Sequence, residues 1–479
     1  MGELRRGWMH LAGGAGLGRV ISFASNLALS RLLGPADLGL FNLVTTTVQT
    51  GDTLVRLGGD FAINYELGGE VGSLQTPRGR GLTAAFGLQN MVATAVMLVG
   101  MVLWLGPGHG LFPASVGESQ RRLWSALVLL MVGLEACCAV PWEVLLVARD
   151  TRRLALRQGL FMPLRLILAT VGAALGAITG ALLGWGLVAL IQSLWLACIL
   201  RGIWPPPARP LPGWPTWRLL LRRGLPFYGA NLVSSLVFFP LLLSLAQQAG
   251  LADVGFLRVG QILQQLFALL PGTLVPVLFL RLRQAENFEA RMREVERVFR
   301  LLWFLLLVVL LGYGLVDGLL IRVFFGTSFL PSLSPTRMML VTALLEVLQQ
   351  ILIQPLISSG QLRRYALLLN GGTLGAAVIG WILVPKLGLF GFLIAKYLAA
   401  FLPLLPLLFL SCRSFAEPIK LAIPTGISLM LSVYFSLGWL FAMPLVMERV
   451  VFGVAMTLLV VAARRDVLFF LPAADRPPT

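Results

Sequence analysis

The sequence has little charge, almost no histidine and few cysteines, and each shortage closes off a class of function. Only 12% of its residues are charged, against 57% hydrophobic, and the mean hydropathy is +0.86. A soluble domain carries roughly a quarter of its residues as charges, so a chain of 479 residues this apolar is not built to be solvated by water. With two histidines, His10 and His109, there is little room for histidine-based acid–base or metal chemistry. The four cysteines, Cys137, Cys138, Cys198 and Cys412, stand in apolar stretches without metal-ligand spacing or loop pairing, and read as small core residues. No stretch between the apolar runs is long enough for a folded catalytic domain, so neither an enzyme nor a metal site is expected. The opening "MGELRRGWMH" leads into a small-residue helix without a cleavage site, so the first span is expected to stay in the protein.

What the chain does have is apolar runs of about twenty residues from end to end, each long enough to cross a bilayer as a helix. They predict an all-α polytopic membrane protein with fourteen spans: 11–33, 38–62, 81–106, 122–148, 155–178, 183–204, 219–246, 251–280, 298–322, 337–359, 365–385, 389–411, 418–440 and 443–463. The net charge of +17 follows the topology. Arginines crowd alternate junctions, as at Arg149, Arg152, Arg153 and Arg157 or between Arg281 and Arg300, whereas the opposite junctions hold few. That asymmetry marks the cytoplasmic side and puts both termini on it. The basic excess is therefore not a nucleic-acid footprint.

Two octapeptides nearly repeat: "GPADLGLF" from Gly34 and "GLADVGFL" from Gly250, at an offset of 216. "TRRLAL" from Thr151 returns as "LRRYAL" from Leu362, at an offset of 211, and at that offset Glu135 returns as Glu346. "LGWGLVA" from Leu183 has a weaker counterpart in "LGLFGFLIA" from Leu387. Matches in one order at nearly one offset are a duplication. Its unit is six spans, an even number, so the two copies share one orientation, with a site expected between them. The expected organisation is a first lobe at 1–204, a proline-rich cytoplasmic linker at 205–218 and a second lobe at 219–412. Two further spans occupy 413–465, and a cytoplasmic tail 466–479. Within the octapeptides, Gly34 and Gly250 are expected to end a helix or turn tightly, Asp37 and Asp253 to cap the next helix, and Gly39 and Gly255 to admit a close backbone. Pro226, Pro240, Pro271 and Pro276 mark expected helix hinges.

Polar residues recur on single helical faces. Span two carries Asn42, Thr45, Thr46, Gln49, Asp52, Arg56 and Asp60 in steps of mostly three and four. Span eight carries Arg258, Gln261, Gln264 and Gln265, span one Arg19, Ser22, Asn26 and Ser30, and span seven Tyr228, Asn231, Ser234 and Ser235. Polar groups facing lipid cost free energy, so these faces are expected to line a hydrated central cavity, with interhelical hydrogen bonding as the other reading. The candidate substrate contacts are Arg258, Arg56, Arg19, Lys396, Arg165, Gln49, Gln261, Gln265 and Asn231. Arg258 ranks first, because no acid stands within one turn on its polar face. Arg56 has Asp52 and Asp60 at i−4 and i+4, so an internal ion pair is its other reading. Asp52, Asp60, Glu135 and Glu346 are candidates for ion coupling or for structural pairing, and the recurring Glu135 and Glu346 are expected to be structural.

In four segments, the sequence resembles the polysaccharide biosynthesis (oligosaccharide flippase) family of the multidrug/oligosaccharidyl-lipid/polysaccharide exporter superfamily. They are "LSRLLGPADLGLFNL" from Leu29, "RRGLPFYGANLVSSL" from Arg222, "GLADVGFLRVGQIL" from Gly250 and "LVPKLGLFGFLIAKYLAA" from Leu383. The resemblance extends over about residues 5–412, and the last two spans fit fourteen-helix members. It implies a two-lobed transporter that moves undecaprenyl-linked sugars from the inner to the outer leaflet of a bacterial inner membrane. It also implies a cationic cavity for pyrophosphate and acidic sugars, with the lipid tail running out between helices. Arg19, Arg56 and Arg258 match, by span and depth, arginines that the related lipid II flippases use. The implied partners are the lipid-linked glycan, membrane lipids and other polysaccharide-assembly proteins, with no cofactor beyond a coupling proton or sodium ion. Two other functions compete. A cation-coupled drug or metabolite exporter of the same superfamily would need acids in its cavity, and a membrane enzyme of surface-polysaccharide assembly would need a sizeable outer loop.

Overall fold

A computed structural model describes residues 2–67, 73–105, 117–148, 150–203, 213–267, 288–358 and 362–412, together with Phe112, Leu278 and Leu282. They are α-helical almost throughout, and no strand occurs among them. Immersion in lipid demands this, because a helix satisfies every backbone N–H and C=O within one segment. The protein is an all-α membrane protein, with eight described stretches long and apolar enough to cross a bilayer.

Thirteen α-helices are described. In chain order they are α1 (Gly2–Arg56), α2 (Gly59–Leu67), α3 (Pro77–Leu105), α4 (Glu118–Val147), α5 (Thr151–Leu156), α6 (Met162–Ile203) and α7 (Trp214–Gln248). Then follow α8 (Leu251–Phe267), α9 (Phe288–Phe324), α10 (Leu333–Leu352), α11 (Gln354–Ser358), α12 (Leu362–Leu387) and α13 (Leu389–Cys412). Two of these hold a pair of expected spans each. The geometry of α1 breaks at Gly34 (φ 72°), and that of α6 at Gly176 and Ala177 (φ 49°). α7 begins at Trp214, so the end of the expected linker is already helix, and it runs on through Pro226 and Pro240 without a break. Pro271, Pro276, the last two expected spans and the tail lie outside the described residues.

Contacts divide the chain into two compact units, Met1–Arg258 with Leu362–Ala395, and Val259–Gln361 with Lys396–Thr479. In the second unit α10 is almost entirely buried, and an ion pair between Arg337 and Asp317 ties it to α9. In the first unit, Trp142 of α4, Phe161 just before α6 and Trp195 within α6 form an aromatic core with ring centroids 5.1–6.4 Å apart. Its other face is the bilayer's: α3 exposes Met91, Val96, Val99 and Leu103. The cysteines depart from expectation here. Cys138 is buried, but Cys137 and Cys198 are exposed, since their helices turn those positions outward.

The duplicated octapeptide shows its purpose in the backbone. Gly34 (φ 72°) and Gly250 (φ 99°) occupy equivalent places, both in the left-handed region that glycine enters without strain. Pro35 then opens the second half of α1, and Leu251 opens α8. Asp253 stands inside the first turn of its helix, and Asp37 stands at the same distance after its glycine. Both favour the helix start by charge, a correction to the expected cap position. The second glycines meet the other copy. A Cβ on Gly39 would lie 1.8 Å from the Leu251 carbonyl oxygen, and one on Gly255 would lie 1.9 Å from that of Pro35. Each copy's glycine thus receives the other copy's carbonyl at the same register.

Candidate functional site

The polar face of α1 begins against the protein's own backbone. Thr45 donates to the Phe41 carbonyl at 2.9 Å and Thr47 to that of Leu43 at 2.8 Å, so these hydroxyls are spent within the helix. Lower down, the face opens onto a cavity of about 430 Å³. Asp52, Thr53 and Arg56 of α1 line it with Asp60 of α2, Arg157, and Tyr228, Ser234 and Ser235 of α7.

A helix break shapes this cavity. Leu57 (φ 45°) and Gly58 (φ 73°) leave the helix between α1 and α2. Leucine is strained there, and a tight contact holds the break: a Cβ on Gly58 would lie 2.5 Å from the Gly224 carbonyl oxygen of α7. The Tyr228 hydroxyl donates to the Leu54 carbonyl at 2.9 Å, and Arg223 pairs with Glu66 at 3.1 Å on the same seam.

Arg56 is held by acids. Its Nε donates to both Asp52 carboxylate oxygens at 3.1 Å, and its Nη2 donates at 2.8 Å. Asp60 lies 3.8 Å away across the break rather than along one continuous helix, and Glu143 of α4 adds a third carboxylate at 3.9 Å. Glu143 also accepts from the Asn64 amide at 2.5 Å. Arg157 is different. It opens a π-helical turn, Arg157–Phe161, and its guanidinium lies 5.2 Å from the Trp142 ring centroid. Among the described residues no carboxylate closes an ion pair with it. In the sequence Arg157 belongs to a run of arginines that reads as a topology signal and carries no sign of the π turn.

Arg258 forms a second polar cluster in the same unit. Its Nη1 reaches Asn42 Oδ1 at 3.5 Å and its Nη2 reaches Asn26 Oδ1 at 3.4 Å, while its buried Nε and the Asn42 Nδ2 have no partner among the described residues. Both asparagines are buried. Among the described residues no carboxylate pairs with Arg258, and its two bonds are near the long limit for hydrogen bonds. Asn42 and Arg258 are themselves repeat equivalents, 216 residues apart.

The remaining candidates are dispersed. Arg165 is buried, paired with Glu135 at 2.5 Å, bonded to Gln192 at 2.6 Å and placed 5.8 Å from the Trp185 ring centroid. Its charge is matched inside the protein. In the second unit, Glu346 accepts from Gln264 at 2.7 Å and lies within Coulombic reach of Lys396. Gln49 and Gln265 are exposed, Gln261 and Arg19 are partly buried, and Asn231 lies in α7 with its side chain outside the described atoms. No cluster of metal-ligating side chains occurs among the described residues.

No protein-family model matches the sequence, and no curated protein matches it. Solved structures do. The lipid II flippase MurJ in an inward closed conformation superposes with a TM-score of 0.70 at 12% identity, over 95% of this chain and 99% of that one. An inward-facing multidrug resistance MATE family transporter of the MOP superfamily gives 0.66 at 16% identity, over 82% and 95%. A MOP superfamily transporter from Pyrococcus furiosus, noted for the reverse polarity of its binding pocket, gives 0.59 at 17%, over 85% and 96%. The protein has the fold these transporters share.

Proposed function

We propose that the protein is a flippase that carries a polyprenyl-linked oligosaccharide, or a similar glycolipid, from the inner to the outer leaflet by alternating access. The observation that carries this reading is Arg258. A guanidinium held by two long amide contacts, with one N–H unused, offers its charge and its paired donors to an anion. Pyrophosphate and acidic sugars are such anions. Arg157, which closes no ion pair with a carboxylate among the described residues, offers a second guanidinium at the 430 Å³ cavity. The same fold serves both MurJ and the MATE transporters, so the fold alone does not choose between lipid-linked glycan and drug.

In this reading residues 1–204 and 219–412 form two parallel six-span lobes, supported by the reciprocal octapeptide contacts. On the same reading the protein sits in a bacterial inner membrane with both termini cytoplasmic, an orientation that the arginine asymmetry supports. Its partners are the lipid-linked glycan and neighbouring proteins of polysaccharide assembly. A second reading, a cation-coupled exporter, is favoured by Asp52 and Asp60 on the cavity wall. The ion pairs those acids make with Arg56 weigh against it.

The experiment is transbilayer movement in liposomes holding the purified protein. A polyprenyl-diphosphate oligosaccharide, added to one leaflet, should become accessible in the other only when the protein is present. Proton- or sodium-driven uptake of cationic dyes, without glycolipid movement, would select the exporter instead.

A further inference from the structure

The break between α1 and α2 is supported by its neighbours and not by its own sequence. An unbroken helix would give the Leu54 carbonyl the N–H of Gly58, and the Arg56 carbonyl the N–H of Asp60. Instead Leu54 accepts from the Tyr228 hydroxyl of α7 at 2.9 Å, and Arg56 accepts from the Gln89 amide of α3 at 3.2 Å. Two side chains from other helices thus satisfy carbonyls that the break sets free. Glycine lets those helices close in. Gly58 and Gly224 each lie against the other's carbonyl, so a Cβ on either would collide with it, and a Cβ on Gly59 would strike the Phe86 ring of α3.

Leu57 opposes this form. It stands at φ 45°, in a region that a branched side chain disfavours, whereas leucine is among the better helix formers. Strain of this kind persists only where the surroundings impose it, and it gathers at switches. We propose that Leu57 and Gly58 are the hinge of a gate at the end of the cavity that Arg78 and Arg223 flank. With α2 seated on α7 the helix is broken and that end is closed; when the two part, α1 and α2 join into one helix. Asp52 and Arg56 line the cavity from before the break, and Asp60 and Phe61 from after it, so the same change redraws a cavity wall. Glu66 is the latch. Its carboxylate accepts from Arg78 of α3 on one side and from Arg223 of α7, at 3.1 Å, on the other. Arg223 keeps 46% of its side chain exposed, so water can replace its half of the pair, while Glu66 retains Arg78. Such a latch opens readily. The gate rests on alternating access and not on what is carried.

The test is the distance between two nitroxides, attached through Gln75→Cys between α2 and α3 and Arg222→Cys on α7, both exposed positions. The full chain, with its native cysteines replaced, is held in lipid nanodiscs. Glu66→Gln leaves Arg78 and Arg223 without their shared anion, and should show a second, longer distance beside the first. Leu57→Gly in that background relieves the broken form, and should lower the ratio of longer to shorter distance roughly tenfold. Leu57→Asn, which also enters the left-handed region, should move the ratio the same way, and decides the matter where the glycine variant does not insert. Tyr228→Phe strips the Leu54 carbonyl of its donor and should raise the ratio. One unchanged distance in every variant makes the break a fixed kink and overturns the gate. So does a longer population that neither substitution at Leu57 reduces. No glycolipid enters the measurement, so its outcome is separate from that of the flippase assay.

Discussion

Three arginines of the first unit show how differently one residue type can be used. Arg56 faces three carboxylates, Arg165 faces one, and Arg258 faces none among the described residues. Removing a partner from a buried ion pair leaves an uncompensated charge and costs about 3–5 kcal/mol. Arg165→Ala should therefore lower thermal stability in detergent, and Arg165→Met combined with Glu135→Leu should recover most of the loss. Transport per folded molecule should stay near wild type in that double variant; a selective loss of transport would return Arg165 to the binding site. Arg258 predicts the reverse. Arg258→Ala should abolish glycolipid movement at wild-type expression, and Arg258→Lys should keep part of it, since the charge survives without the planar fork. Full transport by the alanine variant would remove Arg258 from the site. The sequence already separated Arg258 from Arg56 by the acids at i−4 and i+4. It could not separate Arg165, because Glu135 lies thirty positions away on another helix.

Helices and turns were legible where glycine and proline write them. Gly34 and Gly250 sit at the left-handed turns expected of them, and Gly39 and Gly255 at the close approach. The break at Leu57 and Gly58 was not legible, because leucine is an ordinary helix residue and the contact with Gly224 that holds it is tertiary. Nor was the π turn at Arg157–Phe161, whose inserted residue changes which face of the helix follows and leaves no mark in composition. The glycine contact makes a prediction about the helix ends it joins. Gly39→Val cannot coexist with a carbonyl oxygen 1.8 Å from its Cβ. The second half of α1 and the start of α8 should then be held apart. With the native cysteines replaced, a cysteine at buried Ser30 should react with an impermeant maleimide from outside in Gly39→Val and not in the parent. Equal labelling in both would mean that the contact does not close that end.

For the whole molecule, composition alone carried the membrane assignment, since no arrangement in water would hide this much apolar surface. The same arginines that predict the topology make it testable. A reporter fused after Arg293 should face the cytoplasm, and one placed near Gly250 should face outward; the opposite pattern would reverse the orientation. Exchange tests the relation between the copies. Asn42→Arg alone should fail by bringing a second guanidinium against Arg258, and Arg258→Asn alone by removing the charge. Combining the two should restore part of the transport, because one arginine again meets one asparagine; a double variant as dead as either single would argue against equivalence of the two positions. The contact has a historical consequence. In an ancestor assembled from two identical chains, the residue at this point would have met its own copy across the axis, so an arginine there would have faced an arginine. Fusion of the genes removes that constraint. Once the halves mutate independently, a single positive charge can stand where symmetry would have allowed only two or none.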